Sequence, residues 1–164
     1  MGPKLEFMRG DCLKLMSRIP DNSVDLILCD LPYGTTGCSW DSVIPFEPLW
    51  AQYKRIIKDR APLVLTASQP FTTALINSNF DWFKYCWVWE KSTAGDMFNA
   101  KNKPMKKHED ILVFSSGTTA NKSLRRMPYY PQGLYDVNKI CKNSGKDSAF
   151  SRGSKNPEAT YTQT

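Results

Sequence analysis

In the first 117 positions of the chain, segments with two different patterns of apolar residues follow one another in turn. Short runs that are apolar nearly throughout predict buried strands, and runs with apolar residues at three- and four-residue spacing predict helices. The predicted strands span 4–11, 24–30, 61–68, 85–91 and 109–117, and the predicted helices span 12–19, 44–60 and 69–79. Apolar strands that alternate with helices are typical of a mostly parallel sheet with helices on both faces. We therefore expect an α/β fold.

The pattern changes after residue 117. Residues 118–164 are rich in Ser, Asn, Gly, Lys and Pro with scattered tyrosines, and they show no sustained apolar period. Such a composition is typical of a disordered tail, and it also suits a loop-rich segment that becomes ordered on a nucleic acid. We predict two parts: an α/β portion at 1–117 and a loop-rich basic segment at 118–164.

Composition narrows the classes of protein. The chain is 41% hydrophobic and has no apolar run of the roughly 18 residues that a membrane span needs, so no membrane association is expected. The N-terminal residues lack the apolar core of a secretory leader, which favours a cytoplasmic location. Five scattered cysteines and a single histidine, His108, favour neither a disulfide framework nor a zinc site. No metal is expected, and His108 is assigned no chemistry.

The positive charge lies in the second half of the chain. The net charge is +6, with nine basic and ten acidic residues at 1–90 but thirteen basic and six acidic residues at 91–164. A one-sided basic excess is the electrostatic footprint of a polyanion-binding protein, and a solubilising surface gives the same bias.

The stretch "VDLILCDLPYG" ends a predicted buried strand on a carboxylate, Asp30. Ligands of open parallel sheets bind beyond the carboxyl ends of the strands. Pro32 stiffens the turn and leaves its carbonyl as a free acceptor, and Tyr33 offers an aromatic face. Two acceptors and a flat ring suit a planar base that carries an NH₂ group. The alternative is an ordinary turn in which Asp30 only caps the following segment.

The "DLPYG" stretch, with "TASQPF" and "WVWEKSTAGDMFNAKNKPMKKHEDILVF", resembles the DNA amino-methyltransferases. Their signature is [DNS]-P-P-[YFW], and Leu31 here replaces the first proline, as in a phage-type variant. The order of motifs resembles the permuted (beta-type) subgroup, in which the catalytic half comes first. The resemblance implies a Rossmann-like methyltransferase fold, S-adenosylmethionine as cofactor, double-stranded DNA as partner, and the cytoplasm of a bacterial or phage-infected cell. Aspartate at the first position implies N6 of a flipped adenine as the target, whereas serine would suggest N4 of cytosine.

Single residues carry further expectations from this resemblance. Asp30, Pro32 and Tyr33 would be catalytic, with Tyr33 as the platform on which the flipped base stacks. Asp30 would also approach the cofactor, as would Asp11, whose alternative role is to cap the helix that begins at Cys12. Trp89 is the candidate for the opposite wall of the base pocket. The expected DNA contacts are Lys101, Lys103, Lys106, Lys107, Arg125 and Arg126, and the alternative for the lysines is a solvated loop.

Two motifs of the subgroup are missing from the sequence: an H-P-T-Q-K-P-like stretch and a glycine-rich F-x-G-x-G-like loop for the cofactor's methionine part. The central strands of the family sheet are expected to be missing with them, which would leave the strand that ends at Asp30 with an unpaired edge. Three interpretations stay open: the first portion of a longer methyltransferase, a half-enzyme completed by a second chain that carries the glycine-rich loop, and a degenerate DNA-binding protein without catalysis.

Overall fold

A computed structural model describes Gly2 and residues 4–134 of the chain. The chain divides into two compact units, Met1–Pro128 and Tyr129–Thr164; residues 129–134 are the described part of the second unit, and the fold below is that of the first. Its helices are α1 (Cys12–Leu15), α2 (Phe46–Ile56) and α3 (Phe71–Ser78), with short 3₁₀ turns at Met16–Arg18, Phe80–Trp82 and Met97–Asn99. Its strands are β1 (Ile27–Asp30), β2 (Leu63–Ala67), β3 (Phe83–Gly95) and β4 (Lys106–Phe114). No helix in the described residues has the length and apolar composition to cross a lipid bilayer.

The four strands form one mixed sheet in the order β1-β2-β4-β3. β1 and β2 are parallel, with Asp30 paired to Thr66 at their carboxyl ends. β4 runs antiparallel to both β2 and β3. The α/β class is confirmed. The strand directions differ from the expected mostly parallel sheet, because β3 and β4 are joined by a hairpin and neighbouring hairpin strands are antiparallel.

The hydrophobic core lies on one face of this sheet. Alternate strand residues point to that face, and the fully buried ones are Leu63, Leu65, Ala67, Leu112 and Phe114. Helix α2 presents Leu49, Trp50, Tyr53 and Ile56 to this core, and α3 presents Phe71 and Leu75. The described helices therefore pack together on one face, where helices on both faces were expected.

The opposite face of the sheet is partly open within the described residues. It carries Leu28, Trp87 and Trp89, whose relative exposures are 70%, 52% and 48%, because these residues alternate with the core-facing ones along their strands. β1 is also an edge strand of the described sheet, as the unpaired-edge argument predicts.

Residues 4–11 form no strand, contrary to the prediction. Leu5 and Phe7 are 76% and 90% exposed, and no strand of the described sheet pairs with this segment. Alternation alone does not make a strand, because a strand also needs a partner for its backbone hydrogen bonds.

Candidate active site

Asp30, Thr66 and Tyr33 form a hydrogen-bonded cluster at the carboxyl ends of β1 and β2. The Tyr33 hydroxyl lies 2.9 Å from Asp30 Oδ1 and 2.9 Å from Thr66 Oγ1. The Thr66 hydroxyl in turn donates to Asp30 Oδ1 through a short hydrogen bond. One carboxylate oxygen is therefore held from two sides, while Oδ2 has no hydrogen bond within the described residues.

Tyr33 is a donor in this cluster because its hydroxyl keeps its proton. Burial raises the pKa of Tyr33 well above its usual range; the hydrogen bond with Thr66 opposes that rise, and the negative charge of Asp30 adds to it. Its ring stacks on Phe71, with the centroids 5.2 Å apart and the planes 24° apart. One face of the ring is thus packed against the protein, and any base that stacks on Tyr33 uses the other face.

The turn between Asp30 and Tyr33 is anchored by Leu31 and leaves an acceptor free. Leu31, which stands where the family signature has a proline, is 5% exposed and belongs to the core. Pro32 is half buried, and its carbonyl accepts no hydrogen bond from the described residues. Two unengaged acceptors, Asp30 Oδ2 and the Pro32 carbonyl, therefore lie on the same turn.

The loop after Tyr33 is fixed by the buried carboxylate of Asp41. Its oxygens accept hydrogen bonds from the backbone N–H groups of Gly34 at 2.8 Å, Thr35 at 2.9 Å and Thr36 at 2.6 Å. These bonds, that of Gly34 first, lower the pKa of Asp41 from 3.8 to about 2. Gly34 has φ +68°, and a Cβ there would lie 2.8 Å from Val43 Cγ2, so glycine is required at this turn.

A cavity of about 460 Å³ lies between this loop and the β3–β4 hairpin. Its walls are Thr35 and Thr36, then Ser68 and Gln69 after β2, and hairpin residues that include Lys91, Asp96, Asn99, Lys103, Lys106, His108 and Glu109. Lys91 forms a short ion pair with Glu109, and Lys103 Nζ lies 2.5 Å from Asp96 Oδ2. No residue of the Asp30 cluster lines this cavity. The two are neighbours through Glu109, a wall residue whose negative charge acts on Tyr33, and the cavity itself offers polar groups and both signs of charge.

The predicted DNA-binding lysines do not share one surface. Lys106 Nζ donates to Ser68 Oγ at 2.7 Å and lines the cavity. Lys107, the next residue on β4, pairs with Glu90 at 2.9 Å and does not line the cavity. Lys101 is exposed in the hairpin turn, and no ion pair is found for it within residues 4–134.

Arg125 and Arg126 lie at the other end of the sheet from this cavity. The Arg125 side chain forms an ion pair with Asp59 at 2.8 Å. The backbone of Arg126 forms an isolated β-bridge with that of Thr118, beyond the end of β4. Since the cavity lies at the start of β4, the length of this strand separates both arginines from the lysine that lines the cavity there. The rest of the predicted recognition segment, from residue 135, lies outside the described residues.

Neither Trp89 nor Asp11 lines the cavity, and neither has a hydrogen bond to the Asp30 cluster within the described residues. The Trp89 ring is 5.4 Å from Lys91 Nζ and faces the side of the sheet that carries Glu109. Trp89 pairs across the strands with Glu109, which lines the cavity, but Trp89 itself does not line it. Asp11 accepts a hydrogen bond from the Leu13 N–H at 3.0 Å and caps α1; the adjacent Cys12 thiol contributes to the raised pKa of Cys29, although burial of Cys29 is the main cause.

Sequence patterns did not point to Thr66 or His108 as site residues. Thr66 reaches Asp30 only because their two strands pair in register, and the residues are 36 positions apart. One signal could have found Thr66: it lies near the end of a predicted strand, and the carboxyl ends of parallel strands meet at the same edge of a sheet as Asp30. His108 lines the cavity. No group of three potential ligands within the described residues is placed to hold a metal ion.

Comparison with protein-family models and with curated proteins finds no match for this sequence. Solved structures with a similar fold include the M1.HpyAVI complex with S-adenosylmethionine (17% identity, TM-score 0.45, 70% of this chain and 60% of that one). Others are the cytosine-N4-specific PvuII DNA methyltransferase (12%, 0.45, 65% and 47%) and TTHA0409 of Thermus thermophilus, described as a DNA modification methylase (17%, 0.47, 75% and 53%). The aligned part of this chain spans about half to three fifths of the length of these proteins.

Proposed function

We propose that this chain carries the target-base half of an S-adenosylmethionine-dependent DNA methyltransferase that modifies the exocyclic amine of adenine. The observation that supports it is the Asp30 cluster. One carboxylate oxygen of Asp30 is fixed by two hydroxyls, and the second has no hydrogen bond within the described residues.

The two unengaged acceptors match the two hydrogens of an amine. Asp30 Oδ2 accepts one amine hydrogen and the Pro32 carbonyl accepts the other, which turns the nitrogen lone pair out of the ring and makes the nitrogen nucleophilic. The free face of Tyr33 holds the base by stacking. After the nitrogen has formed its new bond, the proton leaves through the Asp30 carboxylate, whose orientation Thr66 and Tyr33 maintain.

The carboxylates of Asp30 and Asp11 would hold part of the cofactor. Asp30 suits an ammonium group, and Asp11 suits the amine of an adenine ring. S-Adenosylmethionine would supply an electrophilic methyl group here. The open edge of β1 and the exposed Leu28 beside it support the further proposal that a glycine-rich element, from a second chain or from a longer form of this protein, covers the cofactor.

The base must leave the duplex to enter this cavity. Enzymes that modify bases rotate the target nucleotide out of the stack, at a cost of a few kcal/mol that contacts in the pocket offset. Lys106, which lines the cavity, would meet the backbone phosphate of the rotated nucleotide. The target amine, adenine N6 or cytosine N4, is identified by nucleoside analysis of the product.

A methyl-transfer assay tests the proposal. Duplex DNA of mixed sequence is incubated with S-adenosylmethionine labelled in its methyl group and with the completed enzyme, either the longer form of this protein or this chain with the second chain, and the digested nucleosides are separated. We expect N6-methyl-2′-deoxyadenosine from wild type and none from Asp30→Ala, with equal DNA affinity. Asp25→Ala, on the exposed turn before β1, is the matched control. Methylation by Asp30→Ala at the wild-type rate would contradict the assignment.

A second candidate is a DNA-binding protein without catalysis, which the open edge of β1 favours. Calorimetric titration with S-adenosylmethionine separates the two candidates. Salt-dependent DNA binding without cofactor binding, alone or with a completing chain, would favour this second function.

A further inference from the structure

The turn between β3 and β4 is held in one shape by Asp96. Its backbone is left-handed, with φ 67°, and its carbonyl accepts the Asn99 N–H at 3.0 Å. Its carboxylate accepts from Asn99 Nδ2 at 2.6 Å and pairs with Lys103. The turn is thus a built feature, cross-linked on both sides of its apex.

The apex presents large apolar side chains to solvent. Phe98 is 100% exposed and Met97 is 70% exposed, and both lie in the single 3₁₀ turn Met97–Asn99. The next residue, Asn99, lines the cavity beside the Asp30 cluster, as do Asp96 and Lys103. Phe98 therefore projects from the rim of the cavity while its neighbours form the wall.

The charge around this apex indicates the kind of partner. The turn that carries the exposed ring holds Lys101 and Lys103 and one acidic residue, Asp96, so the turn has a net positive charge. A duplex offers both complements at once: phosphates for the lysines and base faces for the ring. Proteins that kink or open DNA commonly insert an apolar side chain between base pairs.

We infer that Phe98 is a wedge that enters the base stack of duplex DNA and fills the space left by the nucleotide that rotates into the adjacent cavity. This inference rests on the proposed function, because it needs DNA as the partner. It assigns to the hairpin apex a role in opening the duplex, separate from the chemistry at Asp30.

The test compares two short duplexes of the same sequence, one fully paired and one with a single abasic site, by fluorescence anisotropy at constant salt. A wedge fills the abasic gap without unstacking a base, so we expect wild type to prefer the gapped duplex. Phe98→Ala should lose that preference, with affinity for the gapped duplex lower by about 5- to 100-fold, the usual worth of one stacking contact. Phe98→Trp keeps a ring and should restore it.

Phe80→Ala is the matched control. Phe80 is also an exposed aromatic residue, at 68%, but it precedes β3 and so lies at the end of that strand away from the hairpin apex. Both substitutions are at the surface, and circular dichroism should show unchanged folding. Equal affinities of Phe98→Ala, Phe80→Ala and wild type would overturn the inference, as would a Phe98 effect on binding to phosphatidylglycerol vesicles and not on DNA.

The failure of the wedge and of the proposed function are distinguishable. Methyl transfer by wild type with no loss of gapped-duplex preference in Phe98→Ala refutes the wedge alone. Loss of the preference in Phe98→Ala without methyl transfer by wild type supports the wedge and refutes the catalytic assignment.

Discussion

Replacing Thr66 by valine removes one hydroxyl from the Asp30 cluster and changes little else. Valine has the same branched shape and suits a strand at least as well as threonine. The change deletes the short hydrogen bond to Asp30 Oδ1 and the 2.9 Å contact with the Tyr33 hydroxyl. The carboxylate then keeps one of its two fixing partners.

The expected size follows from the exposure of the carboxylate. A hydrogen bond to a charged group contributes about 1.5–3 kcal/mol, and water can replace part of it where the group is exposed. Asp30 is exposed, whereas Thr66 is half buried, so we take the lower end. About 1.5 kcal/mol in the transition state corresponds to roughly a tenfold lower rate of methyl transfer.

The assay is methyl transfer to DNA under single-turnover conditions, with kcat and the KM for DNA measured in parallel. Because Thr66 positions the carboxylate and does not bind DNA, we expect kcat to fall and KM to stay constant. Thr66→Ser keeps the hydroxyl and should recover most of the rate. Urea unfolding of both variants checks that stability does not explain the difference. Equal rates for the valine and serine variants would refute the positioning role of Thr66.

Two further predictions concern charge. Because Lys106 lines the cavity and Lys107 pairs with Glu90 outside it, Lys106→Ala should make the slope of log affinity for duplex DNA against log salt shallower by about 0.9. Lys107→Ala should leave the slope unchanged, and equal slopes in salt titrations of both variants would contradict this. The pKa of Asp41 is lowered to about 2, so its carboxylate stabilises the fold above about pH 4 and that contribution is lost as the pH falls toward 2. Asp41→Asn should flatten the decline in the free energy of unfolding across that window, measured by urea unfolding at several pH values, and a decline as steep as that of wild type would count against the role of Asp41.

The elements predicted from sequence are those whose signal is local. Helix α2 was predicted within 44–60 and spans Phe46–Ile56, because Pro45 precedes it and Lys54 and Arg55 close it, while its apolar residues repeat at helical spacing. The position of Asp30 at a strand end was also predicted from local signals, the apolar run before it and Pro32 after it. The strand predicted at 4–11 failed because its existence depends on a partner strand, which no local pattern encodes.

The parts of the site that were missed depend on pairing between distant segments. Thr66 reaches Asp30 through the register of β1 and β2, and strand register is set by packing of the whole sheet. Lys106 and Lys107 were grouped because they are adjacent in sequence. In the structure they have different partners, Ser68 for Lys106 and Glu90 for Lys107.

The open edge of β1 also affects how the protein self-associates in solution. Ile27–Asp30 contains no proline, lysine or bulge, and its protection against joining another edge strand is limited to its short length and the charge of Asp30 at its end. Leu28, at 70% exposure, gives such a junction an apolar contact. Concentrated solutions of this chain should therefore associate through this strand, and a charged residue in place of Leu28 is the first change to make for soluble preparations.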